Sequence, residues 1–281
     1  MNGTAKRRRL LLLLAGVSCV LIFGIIGFPA YRHRQGVPEG TKLVFANEDE
    51  IVERIRSSLK KKSSVITIEF PTNGNYVSDM EEIVAGWMDR ARENTGIPDE
   101  GDYLRYQMGG YTVSYGNEDS WRAYRNSINI TPVYFTTPGQ EQEVDELVEA
   151  ALEEINASQY ESQEDKVRAV YEYIYENVSY DTVHEKNDDY FLDSTAYAAL
   201  HYGNASCQGY SVLAYRLLME LSVENRIQTG YASKDGIEEY HSWNVVMIDG
   251  EEYHLDITFN KALETEKYYM VTAEELEDHR Y

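Results

Sequence analysis

An uncharged apolar run near the beginning of this sequence limits the architectures open to it. The run covers residues 10–30, and its 21 residues are about the number that a helix needs to cross a bilayer. Six basic residues flank the run and no acidic residue occurs within residues 1–34. Basic residues favour the cytoplasmic side of a membrane. We therefore expect the N-terminus to be cytoplasmic and the rest of the chain to lie outside.

A cleaved signal peptide is the alternative interpretation of the run. Its apolar part would be shorter, about 7–15 residues, and a small-x-small cleavage site would follow. The nearest candidate site precedes Tyr31 and has Phe28 where a small residue is needed. The pattern therefore favours a retained single-pass anchor in the cell membrane. The predicted segments are a cytoplasmic tail (1–9), a transmembrane signal-anchor helix (10–30) and a linker (31–46).

Charge and composition narrow the class of the remaining chain. The protein has 281 residues, a net charge of −22 and 43% apolar residues, which is too apolar for wholesale disorder. Removing the +6 of residues 1–34 leaves −28 on residues 35–281. Such an acidic body argues against a nucleic-acid partner, because phosphate contacts need Lys and Arg. The two cysteines, Cys19 and Cys207, do not suffice for a disulfide framework.

The body divides into two predicted domains at about residue 138. Residues 47–138 read as a small α+β domain without a catalytic constellation, and residues 139–281 begin with two amphipathic helices. All six prolines lie at or before Pro138. The expected elements of the first domain are a helix capped by Asn47, a strand at 64–70, a capping box at 78–81 that opens a second helix, and strands at 103–115 and 121–136 around Gly-Gly and Gly-Asn turns at 109–110 and 116–117.

Cys207 lies at the predicted start of a helix. Ser206 is a good N-cap residue, and an apolar stripe follows at helical spacing. A lone cysteine is often only a small buried hydrophobic residue. At a helix N-terminus, however, the helix dipole favours the thiolate, and nearby N–H groups are placed to stabilise an oxyanion. These are the two features that a nucleophile for acyl transfer needs.

A hairpin supplies a candidate base and acid. Residues 241–248 alternate like a strand, Asp249-Gly250 is a strong hairpin turn, and residues 251–259 read as the return strand. In that register Trp243 faces Asp256. His241 and Asp256 then lie on one face as diagonal neighbours, about 7–8 Å apart. We expect Cys207 to attack an acyl carbon, His241 to act as base, and Asp256 to orient the imidazole.

The sequences around these three residues also carry a family resemblance. Residues 203–211 (GNASCQGYS), 241–244 (HSWN) and 249–258 (DGEEYHLDIT) resemble the transglutaminase-like superfamily, and in particular its bacterial envelope members. The resemblance covers about residues 140–281 and implies a papain-like α+β fold, in which a Cys-bearing helix packs on an antiparallel sheet. It implies Cys207 as nucleophile, His241 as general base and acid, and Asp256 as the orienting acid. The sequence shows no EF-hand or zinc-ligand spacing, so we expect no cofactor and no metal.

Other residues near these motifs have weaker assignments. Gln208, Tyr197 and Trp243 are candidates for a second oxyanion donor or for support of the site. Phe259-Asn260 departs from the family pattern, which often has Trp followed by an acid, and Ser242 replaces a common Ala. His254 is expected to be a structural neighbour of the site. The sequence assigns no partner to His184, His201 or His279.

Three functions remain open at this point. The first is a cysteine peptidase or amidase that acts outside the membrane on envelope proteins or peptidoglycan peptides. The second is a cross-linking transglutaminase, which differs only in using an amine instead of water to resolve the thioester. The third is a non-catalytic envelope-binding module with a relic triad. A soluble cytoplasmic enzyme would follow only if the apolar run were not a membrane span. The sequence favours the first.

Overall fold

A computed structural model of the protein describes residues 47–71, 80–120, 123–184, 187, 189–234 and 236–281. The anchor expected at 10–30 lies outside these residues, and so do Ser78 and Asp79 of the capping box expected at 78–81. None of the helices in the described ranges is long and apolar enough to span a bilayer. The membrane anchor and the domain division therefore stay predictions.

The first half of the described chain is a three-stranded antiparallel sheet with helices. Its strand order is β1-β3-β2, and its core includes Ile55, Trp87 and Ile128. The expected N-cap is confirmed, since Asn47 Oδ1 accepts a bond from Glu50 N–H at 3.4 Å. The elements are α1 (Glu48–Lys60), β1 (Ile66–Pro71), α2 (Met80–Ala91), α3 (Asp102–Tyr106), β2 (Met108–Ser120) and β3 (Ala123–Tyr134).

The strand and turns expected within 103–120 are wrong in two respects. Residues Asp102–Tyr106 form a helix, because Tyr103 is buried in the core of the second half and this packing overrides the β preference of the local sequence. The chain then runs extended through both expected turns, at 109–110 and 116–117, since β2 pairs with β3 along its length. Gly110 takes up a register irregularity with φ of 122° instead of forming a turn.

The second half places a helix against an antiparallel sheet. Helix α7 packs on β7, and the sheet has the order β8-β7-β6-β9. Its core includes Leu213, Leu217, Val246 and Leu255. The elements are α4 (Pro138–Glu154), α5 (Gln163–Asn177), β4 (Ser179–Tyr180), α6 (Ala196–His201), β5 (Asn204–Ala205), α7 (Cys207–Glu220), β6 (Asn225–Lys234), β7 (Ile237–Ile248), β8 (Glu251–Leu255), α8 (Ile257–Ala262) and β9 (His279–Arg280).

Residues 100–107, which we call the bridge segment, belong to the first half of the sequence but contact the second. Asp102 Oδ2 accepts a bond from Ile227 N–H at 2.7 Å, and Gln107 Oε1 accepts one from Ala196 N–H at 3.2 Å. The Tyr215 hydroxyl donates to the Glu100 carbonyl. Helix α3 also packs directly on α7. The bridge segment therefore supports the helix that begins at Cys207.

Candidate active site

Cys207 is the first residue of α7, as the sequence predicted. Its thiol is free and the residue is partly exposed. Ser206 is the N-cap residue, but its side chain makes no capping bond to the helix. The Ser206 hydroxyl instead lies 3.1 Å from the Ser194 hydroxyl. The N-terminus of α7 is therefore not closed by its own cap.

A close approach of two backbone segments fixes this end of α7. A Cβ atom added at Gly209 would overlap the carbonyl oxygen of Asp193 and lie 2.8 Å from the Cβ of Ala205. The Asp193 carbonyl also accepts a bond from Ser206 N–H at 2.9 Å. Only glycine at position 209 leaves room for this approach. The loop before the helix and its first turn are thereby packed together, which fixes the position of Cys207.

The predicted hairpin is confirmed at its turn and along most of its ladder. Asp249 and Gly250 have φ values of 51° and 87°, as a two-residue turn of the primed type requires. Ile248 pairs with Glu251 and Asn244 with Leu255, in the register that the sequence predicted. The even-numbered residues Val246 and Ile248 face the core, so the expected core face is also confirmed.

The return strand is shorter than expected and delivers Asp256 by a different route. Strand β8 ends at Leu255, and Asp256 is the N-cap of α8. Its Oδ1 accepts a bond from Phe259 N–H at 2.9 Å. Capping satisfies an orphan N–H of the new helix, and this local bond ends the strand. The expected pairing of Asp256 with Trp243 does not form.

His241 and Asp256 nevertheless meet. His241 Nε2 lies 2.7 Å from Asp256 Oδ2, with both side chains buried. A second histidine contacts the same oxygen, because His279 Nε2 lies 3.0 Å from Asp256 Oδ2. A carboxylate only accepts hydrogen bonds, so both histidines donate from Nε2. In His241 this leaves Nδ1 as the ring nitrogen for the thiol.

The thiol and the imidazole are electrostatically coupled. Burial alone would raise the pKa of the Cys207 thiol, but a hydrogen bond from His241 and its charge, together with hydrogen bonds from Ser242, lower that pKa below its ordinary value. Burial would lower the pKa of His241, but the charge and hydrogen bond of Asp256 raise it to about 10, and contacts with Cys207 add to the increase. Both shifts favour a thiolate beside an imidazolium.

Asp256 stays ionised in this buried position. Burial alone would raise the pKa of its carboxyl group. The charge of His241 and the hydrogen bonds that Asp256 accepts lower that pKa to about 2. Asp256 is 1% exposed, so its negative charge reaches His241 without screening by water.

Aromatic rings enclose the His241–Asp256 pair. The ring centroids of Phe259 and His241 are 4.7 Å apart. Trp243, a candidate for site support, lies beside His241 with nearly parallel rings, 6.0 Å between centroids. Its indole N–H donates to His254 Nδ1 at 2.8 Å. His254 is thus the structural neighbour that the sequence predicted, and burial together with Arg226 lowers its pKa.

The two weaker oxyanion candidates have different positions. Gln208 follows Cys207, but its Nε2 donates to the carbonyl of Tyr106 in the bridge segment at 2.7 Å. Its side chain therefore ties α7 to the bridge segment. Tyr197 lies on α6, where its ring stacks on His201 at 4.9 Å, and no contact described for it involves Cys207 or His241. The structure does not bring Tyr197 to the thiol.

The histidines without assigned partners separate into two groups. His184 pairs with Asp181 at 2.7 Å and His201 with Glu143 at 2.5 Å, and neither pair includes a residue of the candidate site. His279 belongs to the site, and sequence reasoning missed it. The only local signal was a histidine next to an acidic residue, Asp278, which is too common to single out.

His241, Asp256 and His279 are also the described side chains best placed to share a cation. Their donor atoms all lie within 4.8 Å of one another. In the structure these atoms make hydrogen bonds to one another, so each already has a partner.

The sequence of this region matches a known family. Residues 149–257 match the profile of the transglutaminase-like superfamily. This segment is a transglutaminase-like domain. It includes the Cys207 helix and the hairpin that carries His241, and it ends one residue after Asp256. No curated protein sequence matches the chain.

The solved structures that the chain matches include a TGase, with a TM-score of 0.38 and 18% identity over 68% of this chain and 50% of that one. A candidate cysteine protease from Cytophaga hutchinsonii has a TM-score of 0.35 and 19% identity, over 52% of this chain and 62% of that one. A candidate protease from Parabacteroides distasonis has a TM-score of 0.28 and 8% identity, over 51% and 35%. This chain therefore spans less than two thirds of each of these structures.

Proposed function

We propose that this protein is a thiol-dependent acyl-transfer enzyme that cleaves amide bonds of proteins or peptides through a thioester on Cys207. The observation that carries the proposal is the coupling of Cys207 to His241 and of His241 to Asp256, with a hydrogen bond of 2.7 Å in the second pair. The lowered pKa of Cys207 and the raised pKa of His241 both favour an ionised thiol beside a protonated imidazole. Such a pair is an activated nucleophile with a general acid beside it.

The geometry supports a two-step reaction. The Cys207 thiolate attacks the carbonyl carbon of the amide, and the N–H groups at the start of α7, which the Ser206 side chain does not cap, are suited to the oxyanion that forms. His241 gives its proton to the amide nitrogen, the amine leaves, and the acyl group remains on Cys207 as a thioester. Water then attacks the thioester while His241 accepts its proton. The carboxylic acid leaves, and the Cys207 thiolate is restored beside protonated His241.

Turnover of defined substrates tests the proposal. Purified protein is incubated with peptides, proteins and cell-wall fragments, with and without an amine donor, beside Cys207→Ala and His241→Ala variants. We expect release of amines in a Cys207-dependent reaction. Preferential incorporation of the amine donor would instead identify a transglutaminase. Absence of any Cys207-dependent product would contradict acyl transfer and favour a binding module.

We further propose that the enzyme works outside the cytoplasmic membrane on envelope proteins or peptidoglycan peptides. The support is the apolar run at 10–30 with its basic flanks, which predicts a cytoplasmic N-terminus. Fractionation of bacterial cells that express the full chain, combined with protease added to intact spheroplasts, tests this location. Recovery of the protein in the soluble cytoplasmic fraction would contradict it.

A further inference from the structure

His279 contacts the candidate site from outside the segment that matches the family. It lies on β9, which adds to the sheet by pairing with β6, with His279 opposite Ala232. Its side chain is fully buried. Phe259 and Trp243 surround its ring, with centroid distances of 5.0 and 4.8 Å. A buried imidazole in an aromatic setting needs polar partners for both of its nitrogens.

Both nitrogens of His279 face carboxylates. Nε2 lies 3.0 Å from Asp256 Oδ2, and Nδ1 lies 3.4 Å from Asp278 Oδ1. Asp278 is held in turn, because its Oδ2 accepts bonds from the Tyr268 hydroxyl at 2.6 Å and from Lys267 Nζ at 3.0 Å. Asp278 thus holds the ring on its Nδ1 side, while its Nε2–H points at Asp256.

The consequence for Asp256 is a complete set of donors. Oδ1 accepts from Phe259 N–H, and Oδ2 accepts from both His241 and His279. Hydrogen bonds to the charged form of a carboxyl group keep it ionised. Without the His279 bond, the buried Asp256 carboxylate would lose one of its three donors. Its Oδ2, which also bonds to His241, would be held less firmly.

We propose that His279 is a positioning residue, which holds Asp256 Oδ2 ionised and oriented toward His241 and so supports the reactivity of Cys207. This inference rests on the proposed function. The site then has four members, and its last member comes from the C-terminal strand.

The test measures alkylation of Cys207 by iodoacetamide against pH in the full chain, which needs no substrate. In His279→Leu the donor is lost, and we expect the acidic limb of the rate profile to move up by about one pH unit, with a rate near neutral pH about tenfold lower. In His279→Gln the amide nitrogen reaches the position of Nε2, and we expect most of the wild-type profile to return. The titratable groups around the ring are His241, Asp256, Asp278, Tyr268 and His254, and Lys267 pairs with Asp278 behind it.

A second comparison separates positioning from folding. Arg280 lies on the same strand as His279 and forms an exposed ion pair with Glu238. Arg280→Gln removes this ion pair without touching Asp256, so it should leave the alkylation profile unchanged. If His279→Leu does not fold, His279→Asn replaces it, because its shorter amide does not reach Asp256. Equal profiles for the Gln and Asn variants, or a Leu profile that superimposes on wild type while the melting temperature falls, would overturn the proposal. If the wild-type protein cleaves no amide substrate while the alkylation profiles of wild type and variants are as expected, the result would count against the proposed function only.

Discussion

At the scale of single residues, the site depends on one buried negative charge. Asp256 is almost inaccessible to solvent and stays ionised because its donors and the charge of His241 outweigh the cost of burial. Its charge is then the largest favourable influence on the protonated form of His241. Protonated His241 in turn lowers the pKa of Cys207. Reactivity of the thiol is thus set by a residue two contacts away.

The first prediction concerns that charge. Asp256→Asn removes this charge, so the pKa of His241 falls from about 10. His241 then loses its proton at a lower pH, and the thiolate–imidazolium pair persists over a narrower pH range. Since one pKa unit is a factor of ten in population, we expect the alkylation rate of Cys207 near neutral pH to fall by about tenfold or more. Asp145→Asn, which alters an ion pair with Arg216, is the control. Identical pH profiles for wild type and Asp256→Asn would refute the coupling.

The second prediction concerns stability in acid. The pKa of Asp256 is about 2 in the folded protein against an ordinary value of 3.8. The unfolded chain therefore takes up this proton first as the pH falls. The stabilisation is fully present above about pH 4 and is lost as the pH falls toward about 2. Circular dichroism melts between about pH 5 and about pH 3 should show a smaller drop in melting temperature for Asp256→Asn than for wild type. Parallel decreases would contradict this assignment.

At the scale of elements, the position of Cys207 depends on how the start of α7 is packed. The loop that contains Asp193 lies against Gly209 from one side, and Gln208 bonds to the bridge segment on another. The side chain of Ser206 does not cap the helix. Packing and tertiary hydrogen bonds, more than local capping, therefore hold the first turn of this helix in place.

The third prediction tests this packing with two glycines in helices. Gly209→Ala places a Cβ against the Asp193 carbonyl and 2.8 Å from Ala205 Cβ, so we expect a loss of about 1–3 kcal/mol in the free energy of unfolding and slower alkylation of Cys207. Gly86 in α2 has open space around it, so Gly86→Ala should gain about 0.5–1 kcal/mol. Urea unfolding measures both. A neutral effect of Gly209→Ala would show that the loop yields easily.

Local patterns were enough to predict some elements of the site and not others. The β7–β8 hairpin was predictable because Asp249-Gly250 fixes the turn, and the turn fixes the register. The end of β8 was not, because the side chain of Asp256 turns back to cap α8 and stops the alternation. His241 and Asp256 were expected to meet across a ladder that does not extend that far. They meet at the end of the strand instead.

At the scale of the whole molecule, contacts between residues far apart in the sequence determine the parts of the structure that local sequence patterns did not predict. The bridge segment was expected to belong to a separate first domain, yet Tyr103 is buried in the core of the second half. His279 reaches Asp256 through a ladder between β6 and β9 that is two residues long on each strand. Neither contact has a periodic signature, so neither was predictable from one sequence. Both contacts determine what surrounds Cys207, and neither was needed to identify Cys207 as the candidate nucleophile.

The last prediction follows from the bridge segment. Because residues 100–107 bond to α6, α7 and β6 of the second half, we expect the two halves to unfold in one cooperative transition. Trp87 and Trp243 are buried in different halves, so variants that retain only one of them, with Trp121→Phe in both, report each half by fluorescence in urea. In each variant, the midpoint of the fluorescence curve should equal the midpoint of that variant's unfolding curve measured by circular dichroism.

Asp102→Ala, which leaves Ile227 N–H without its acceptor, should lower both midpoints together. Two separate transitions in the unaltered bridge background would instead mean that the halves fold independently, and that α7 does not need the bridge segment to hold Cys207 in place.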